Sequence, residues 1–242
     1  MMSPQALAES KSVAHAIRTP RAAALAGIAF SLLFTAALVL VRTAVPSDPA
    51  DAGSWLSDSS RRDAVLLALG LVPFAGIAFL WFVGVLRARV GEAEDRFFAT
   101  AFLGSGLLFV GMLFVTAALA AGLVASAADH ADSLVSSGAW AVGQRTTNEL
   151  MDVYAMRMAA VFTLAISTIL VRTGLAPRWL VASGYLVAIL LLLTVGFLPW
   201  VELAFPAWVL VLSLYVLITT SRDGDSAFPT KPGRRPHLAR TP

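Results

Sequence analysis

The stretch RFFATAFLGSGLLFVGMLFVTAALAAGL, residues 96–123, decides the fold class of this protein. After Arg96 it carries no charged side chain, and it exceeds the run of about 20 apolar residues that a helix needs to cross a hydrocarbon core roughly 30 Å thick. Of the 242 residues, 58% are hydrophobic and only 14% are charged, and the mean hydropathy is +0.77. Because soluble domains carry about a quarter charged residues, the composition predicts a polytopic α-helical membrane protein.

Six apolar segments predict an all-α bundle of six transmembrane helices, with the lipid bilayer as its surroundings. The transmembrane domain is expected to cover residues 22–220. We expect residues 1–21 to form a cytoplasmic tail, either frayed or folded as an amphipathic helix on the membrane surface. This polar segment before the first span is too long for a signal peptide, so we expect that the first span is not cleaved off. Residues 221–242 are expected to be a disordered basic cytoplasmic tail. The six spans are 22–44, 64–86, 97–125, 150–171, 179–198 and 206–220.

Basic residues indicate which ends of these spans face the cytoplasm, because Lys and Arg in short connections are retained on that side. The N-terminal tail, the C-terminal tail and every second connection between spans together carry 13 of the 18 basic residues. This asymmetry and the even number of spans predict that both termini are cytoplasmic. The 13 residues are Lys11, Arg18, Arg21, Arg87, Arg89, Arg96, Arg172, Arg178, Arg222, Lys231, Arg234, Arg235 and Arg240, and the other side holds Arg42, Arg61, Arg62, Arg145 and Arg157.

The sequence contains no motif of a nucleotide-binding loop, a metalloprotease or a serine hydrolase. It also lacks cysteine, which excludes disulfides, thiol catalysis and cysteine-bound metals. Asp129, His130 and Asp132 could contact a divalent cation, but residues spaced so closely on a flexible loop make a weak ligand set and are more typical of a solvated loop. We therefore expect no enzymatic activity, no cofactor, no bound metal and no nucleic-acid partner.

The segment NELMDVYAMRM, residues 148–158, concentrates polar residues at the start of the fourth span. Thr146 and Glu149 fit a capping box, which predicts a helix that begins after Thr146. With about 100° per residue for an α-helix, Glu149, Asp152 and Thr163 share one face, and that face should point into the bundle. This pattern favours either an outward-facing polar vestibule or an ordinary helix end in the headgroup region.

Arg157 lies about 140° away from Asp152 on the same helical wheel. An arginine within the bilayer costs at least about 2.5–3.5 kcal/mol on insertion scales, so we expect it to extend outward or to meet an acid on another helix. Glu202, in the outer turn PWVELAFP, is the first candidate partner, and Asp63 is the second. The hypothesis is a vestibule of Glu149, Asp152 and Thr163 closed by an Arg157–Glu202 pair.

Small residues recur along the third span at near-heptad spacing, and they predict a close helix–helix contact. The contact could be with a neighbouring helix of the same chain or with a second copy in a homo-oligomer. The residues are Gly104, Gly111, Ala118 and Gly122.

Residues 173–217 read TGLAPRWLVASGYLVAILLLLTVGFLPWVELAFPAWVLVLSLYVL. A Pro-Arg-Trp at the inner end of a Leu-rich span, a Pro-containing outer turn and a final FP-x-W-V span resemble a family of uncharacterised bacterial multi-pass membrane proteins, a domain-of-unknown-function family. The likeness is strongest over residues 175–220. It implies a protein of the bacterial inner (cytoplasmic) membrane, and it implies no activity and no site residue.

These observations leave the biochemical function undetermined, with two alternatives. The first is a small transporter or permease subunit, since the length and the six spans are similar to the membrane component of some ABC exporters. The second is an accessory or sensor protein whose partner binds at the cytoplasmic face, either at the turn RARVGEAEDR, residues 87–96, or at the basic tail.

Overall fold

The structure is a computed structural model that describes residues 20–45, 58–90, 96–194, 198 and 200–225. All regular structure in these ranges is helical, in agreement with the predicted all-α class. The elements are α1 (Pro20–Ala44), α2 (Ser59–Val90), α3 (Arg96–Ser136), α4 (Ala139–Glu149), a π-helix (Leu150–Ala155), α5 (Met156–Thr173), α6 (Arg178–Leu193), a 3₁₀ turn (Val201–Leu203) and α7 (Ala204–Asp225).

Several predicted features fall outside the described residues. These are the tail up to residue 19, residues 91–95 of the charged turn, and the basic tail from residue 226 onward. At the start of that predicted tail, α7 continues as far as Asp225.

Five stretches among the described residues are long and apolar enough to cross a membrane. They correspond to five of the six predicted spans. The sixth, predicted over residues 179–198, contains α6, which has only 16 residues and is about 24 Å long at 1.5 Å per residue. The five stretches are Arg21–Ala44, Ser59–Arg87, Phe98–Ala127, Ala139–Thr173 and Val201–Thr220.

The membrane helices form a closed ring. Following the ring, α1 packs against α2, α2 against α3, α3 against α5, α5 against α6, α6 against α7, and α7 returns to α1. Hydropathy predicts the lengths of such helices. It does not predict which helices are neighbours, because lipid is as apolar as the helix faces and hydrophobicity favours no particular partner.

Eight phenylalanines fill the centre of this ring. Ring centroids are 4.7 Å apart for Phe30 and Phe79, and 5.0 Å apart for Phe79 and Phe162. Tilted and edge-to-face pairs of this kind contribute about 0.5–1.5 kcal/mol each beyond the buried area. Between helices in lipid, van der Waals packing of this sort replaces the hydrophobic effect as the source of stability. The cluster consists of Phe30, Phe34, Phe79, Phe82, Phe102, Phe109, Phe162 and Phe205.

Two glycines mark the closest helix crossings. A Cβ atom at Gly27 of α1 would lie 2.0 Å from Ser213 Oγ of α7, and one at Gly184 of α6 would lie 2.1 Å from Ser167 Oγ of α5. Only a residue without a side chain permits these approaches.

The small residues predicted to pack on α3 face away from the other helices. A Cβ atom at Gly104, Gly111 or Gly122 would have no neighbour within 4 Å, and Ala118 is exposed. The stripe therefore makes no helix–helix contact among the described residues. The homo-oligomer contact stays a prediction.

Candidate functional site

A cavity of about 570 Å³ lies at the end of the ring where α1 finishes and α7 begins. Phe34 lines its floor and belongs to the phenylalanine cluster, so that cluster separates the cavity from the opposite end of the bundle. Asn148 and Trp200, which are both exposed, mark its opening. The polar lining residues are Arg42, Thr116, Gln144, Thr147, Asn148, Asp152 and Glu202.

Glu202 is the most deeply buried acid in this cavity. Its side chain is only 4% exposed, because the 3₁₀ turn directs it inward at the start of α7. Arg42, at the end of α1, donates a hydrogen bond from Nη2 to Glu202 Oε1. A carboxylate removed from water requires such a partner, since an unpaired buried charge is strongly destabilising. The pair therefore joins two neighbouring helices of the ring.

Trp200 supports the pair from the side. Its ring centroid lies 6.0 Å from the Arg42 guanidinium carbon, which is within the range of a cation–π interaction. Its backbone has φ 69°, the one positive φ found at a non-glycine residue in the described part of the chain. That left-handed conformation costs roughly 1–2 kcal/mol for an L-residue. Such strain persists where the surroundings fix the residue, and it is often found at functional sites.

Asp152 enters the cavity from a different element. It belongs to the π-helix of residues Leu150–Ala155, and its carboxyl group interacts electrostatically with Glu202 and Arg42. A π-helix within an α-helical span is rare and is frequently located at functional sites. The cavity thus combines two carboxyl groups and one guanidinium group from three separate parts of the chain.

The predicted capping box is not formed. The helix begins earlier, at Ala139, after Gly138 with φ 74°. Thr146 lies within it and donates its hydroxyl hydrogen to the Val142 carbonyl. Because the following residues are helical in any case, the S/T-x-x-E pattern here is coincidental.

The predicted common face of Glu149, Asp152 and Thr163 points into the bundle only in part. Asp152 lines the cavity, and Thr163 is fully buried with its hydroxyl bonded to the Ala159 carbonyl. Glu149 is exposed instead. Of the three, Asp152 is the residue that lines the cavity.

The predicted Arg157–Glu202 pair was wrong. Arg157 extends back along its own helix and donates from Nη1 to the Val153 carbonyl at 3.1 Å. Glu202 is bonded to Arg42 instead. The cation that pairs with Glu202 therefore comes from α1, which is the neighbour of α7 in the ring.

Arg42 and Trp200 were not predicted from the sequence as residues of the site. One signal could have identified Arg42: it ends an apolar span on the side of the membrane that carries few basic residues. Arg145 and Arg157 share that property, so the signal does not single out Arg42.

No group of three or more His, Cys, Asp or Glu side chains that could hold a metal ion occurs within the described ranges. A pocket of this volume with a few convergent polar groups is typical of a site for a small organic molecule. The arrangement is therefore suited to binding a solute.

The chain matches no protein-family model, no curated protein and no solved structure. Its resemblance to the uncharacterised bacterial membrane proteins accordingly stays a prediction.

Proposed function

We propose that the protein is a six-span protein of the bacterial inner membrane, with both termini in the cytoplasm, whose cavity binds a small solute from the outer side. The observation that carries this proposal is the cavity of about 570 Å³ around Arg42, Asp152 and Glu202. Ionisable residues at membrane depth are costly and usually mark the path of a substrate or ion.

The course of the chain around α6 supports the sixth span. α5 ends at Thr173, at the end of the bundle away from the cavity, whereas Glu202 lies in the cavity at the start of α7. The segment that contains α6 must therefore connect the two ends of the ring. With six crossings and the observed distribution of Lys and Arg, the cavity faces outward.

The phenylalanine cluster supports a transporter or permease subunit as the class of protein. The cluster combines side chains from five helices of the ring, and its member Phe34 lines the cavity. A solute site open at one end and closed at the other corresponds to one state of an alternating-access cycle. We therefore propose that solute binding in this cavity is the loading step of transport.

Thermal stability of the purified full chain tests solute binding, because a ligand that binds the folded state raises the unfolding midpoint. We expect at least one class in a panel of small alcohols, carboxylates and alkylammonium ions to raise it. Ala117→Leu, which fills the cavity, should abolish this effect. Ala118→Leu is the matched control, because Ala118 is exposed and does not line the cavity. Stabilisation that survives Ala117→Leu, or none with any class, would contradict the proposal.

A further inference from the structure

The charged groups that line the cavity are bonded to one another. Glu202 accepts a hydrogen bond from Arg42 Nη2, and its side chain also shares a hydrogen bond with the carboxyl group of Asp152. Arg42 and Asp152 thus reach the same carboxyl group from α1 and from the π-helix. No other charged side chain lines the cavity among the residues that the structure describes.

A hydrogen bond between two carboxyl groups requires a proton. An ionised carboxylate only accepts hydrogen bonds, so one member of the pair has to be protonated in order to donate. Two carboxylates in such contact would repel each other, and the repulsion is strong where water is largely excluded. Glu202 is buried and Asp152 is half-buried. The pair therefore holds one proton and carries one negative charge, which Arg42 balances.

The elements around Asp152 supply no second cation that would replace this proton. Glu149, at the end of α4, interacts electrostatically with Asp152, and its negative charge favours retention of the proton. Arg157 of α5 donates from its guanidinium group to the Val153 carbonyl. The cavity wall from α3 is uncharged and consists of Leu113, Thr116, Ala117 and Ala120.

We propose that Asp152 and Glu202 together bind one proton, taken from water on the outer side, and that an uncharged solute binds in the cavity while this proton is in place. The second half rests on the proposed solute-binding function. Loss of the proton leaves two adjacent carboxylates beside one arginine, and this net charge retains water in the cavity in competition with the solute. Carboxyl groups at membrane depth are used in this way as proton relays of transporters.

Infrared spectroscopy of the purified full chain tests the proton directly, because the carbonyl band of a protonated carboxyl group is separate from the bands of a carboxylate. The protein is held in dodecyl maltoside, a detergent that has no carbonyl group. Exposed acids are ionised at about pH 6. We expect a carboxylic acid band at that pH, and we expect it to disappear as the pH is raised.

Asp152→Asn and Glu202→Gln should each remove this band. In either variant the amide group donates the hydrogen bond that the shared proton supplied, so the remaining carboxyl group is ionised beside Arg42. Asp63→Asn is the matched control and should keep the band, because Asp63 is exposed at the start of α2 and does not line the cavity. No band in the wild type, or a band that survives either amide substitution, overturns the proton site.

The pH dependence of solute stabilisation tests the second half, with n-butanol as the uncharged probe. The n-butanol concentration that gives half of the maximal rise in the unfolding midpoint should increase by up to about tenfold per pH unit once the infrared band is lost, because one proton has to bind first. Asp152→Asn should remove this dependence, since its amide replaces the protonated acid at every pH. Stabilisation of the wild type by n-butanol that does not change with pH overturns the coupling.

The outcomes separate this inference from the proposed function. If n-butanol has no effect but butyrate or n-butylammonium raises the unfolding midpoint, the coupling to an uncharged solute is overturned while the cavity stays a solute site. If no solute of the panel raises it, the proposed function and the coupling are both overturned, and the infrared band alone decides the proton site.

Discussion

Arg42 and Glu202 form an ion pair whose two members differ in their access to water. The Arg42 side chain is 37% exposed, whereas that of Glu202 is 4% exposed. Removing one partner of a buried pair is destabilising chiefly because of the charge that is left behind. The cost of breaking this pair should therefore depend on which residue is replaced.

Arg42→Gln should lower the free energy of unfolding by about 3 kcal/mol, because it leaves a buried carboxylate without its partner. Glu202→Gln should cost only about 1 kcal/mol, since the arginine that remains reaches water and the amide can still accept its hydrogen bond. Denaturant titration in detergent micelles measures both values. Arg157→Gln is the control and should have a smaller effect than Arg42→Gln. A larger cost for Glu202→Gln than for Arg42→Gln would contradict this description of the pair.

For single residues, the sequence identifies the two acids of the site, Asp152 and Glu202, better than it identifies their partner, Arg42. Asp152 and Glu202 are recognisable because each is an acid at the end of an apolar span. Arg42, Arg145 and Arg157 all occur on the same side of the membrane. Choosing among them requires the rotation of each helix about its axis and the order of the helices in the ring, and neither is encoded in local composition.

Among the helices, the π-helix (Leu150–Ala155) is the element that the sequence does not predict. LMDVYA contains neither proline nor glycine, so local composition gives no sign of a break in the α-helix. A helical wheel of 100° per residue therefore does not hold through residues 150–155.

The close contacts at glycines between helices lead to a prediction about helix packing. Gly27→Ala would place a methyl group 2.0 Å from Ser213 Oγ and 2.9 Å from the Phe82 ring. Overpacking of this kind costs about 1–3 kcal/mol, so the unfolding free energy should fall. Gly111→Ala is the matched control on α3. No neighbour lies within 4 Å there, and alanine favours a helix over glycine by up to about 1 kcal/mol.

Equal stability of these two alanine variants in denaturant titration would show that α1 and α7 are not packed as described. Adding Ser213→Ala to Gly27→Ala should recover part of the loss, because it removes the nearer of the two contacts.

At the scale of the whole molecule, hydrophobic run lengths were sufficient to predict the fold class. Uncharged stretches such as residues 97–123 exclude a water-soluble chain whatever their neighbours are. The closed ring and its cavity were not predictable in the same way. They depend on which apolar face meets which, on the phenylalanine cluster, and on the Gly27 contact that brings α1 beside α7.

We propose that water and small solutes reach the interior of the ring from the outer side through the cavity. Thr116 and Thr163 provide a matched pair, since both are buried (8% and 0% exposed) and both bond to the carbonyl four residues earlier. They differ in that Thr116 lines the cavity and Thr163 does not.

Because the chain has no cysteine, each threonine can be replaced by a single cysteine and exposed in intact cells to a small membrane-impermeant thiol reagent. We expect labelling of Thr116→Cys and none of Thr163→Cys. Thr116→Cys protected from the outer reagent, or both cysteines labelled equally, would contradict it.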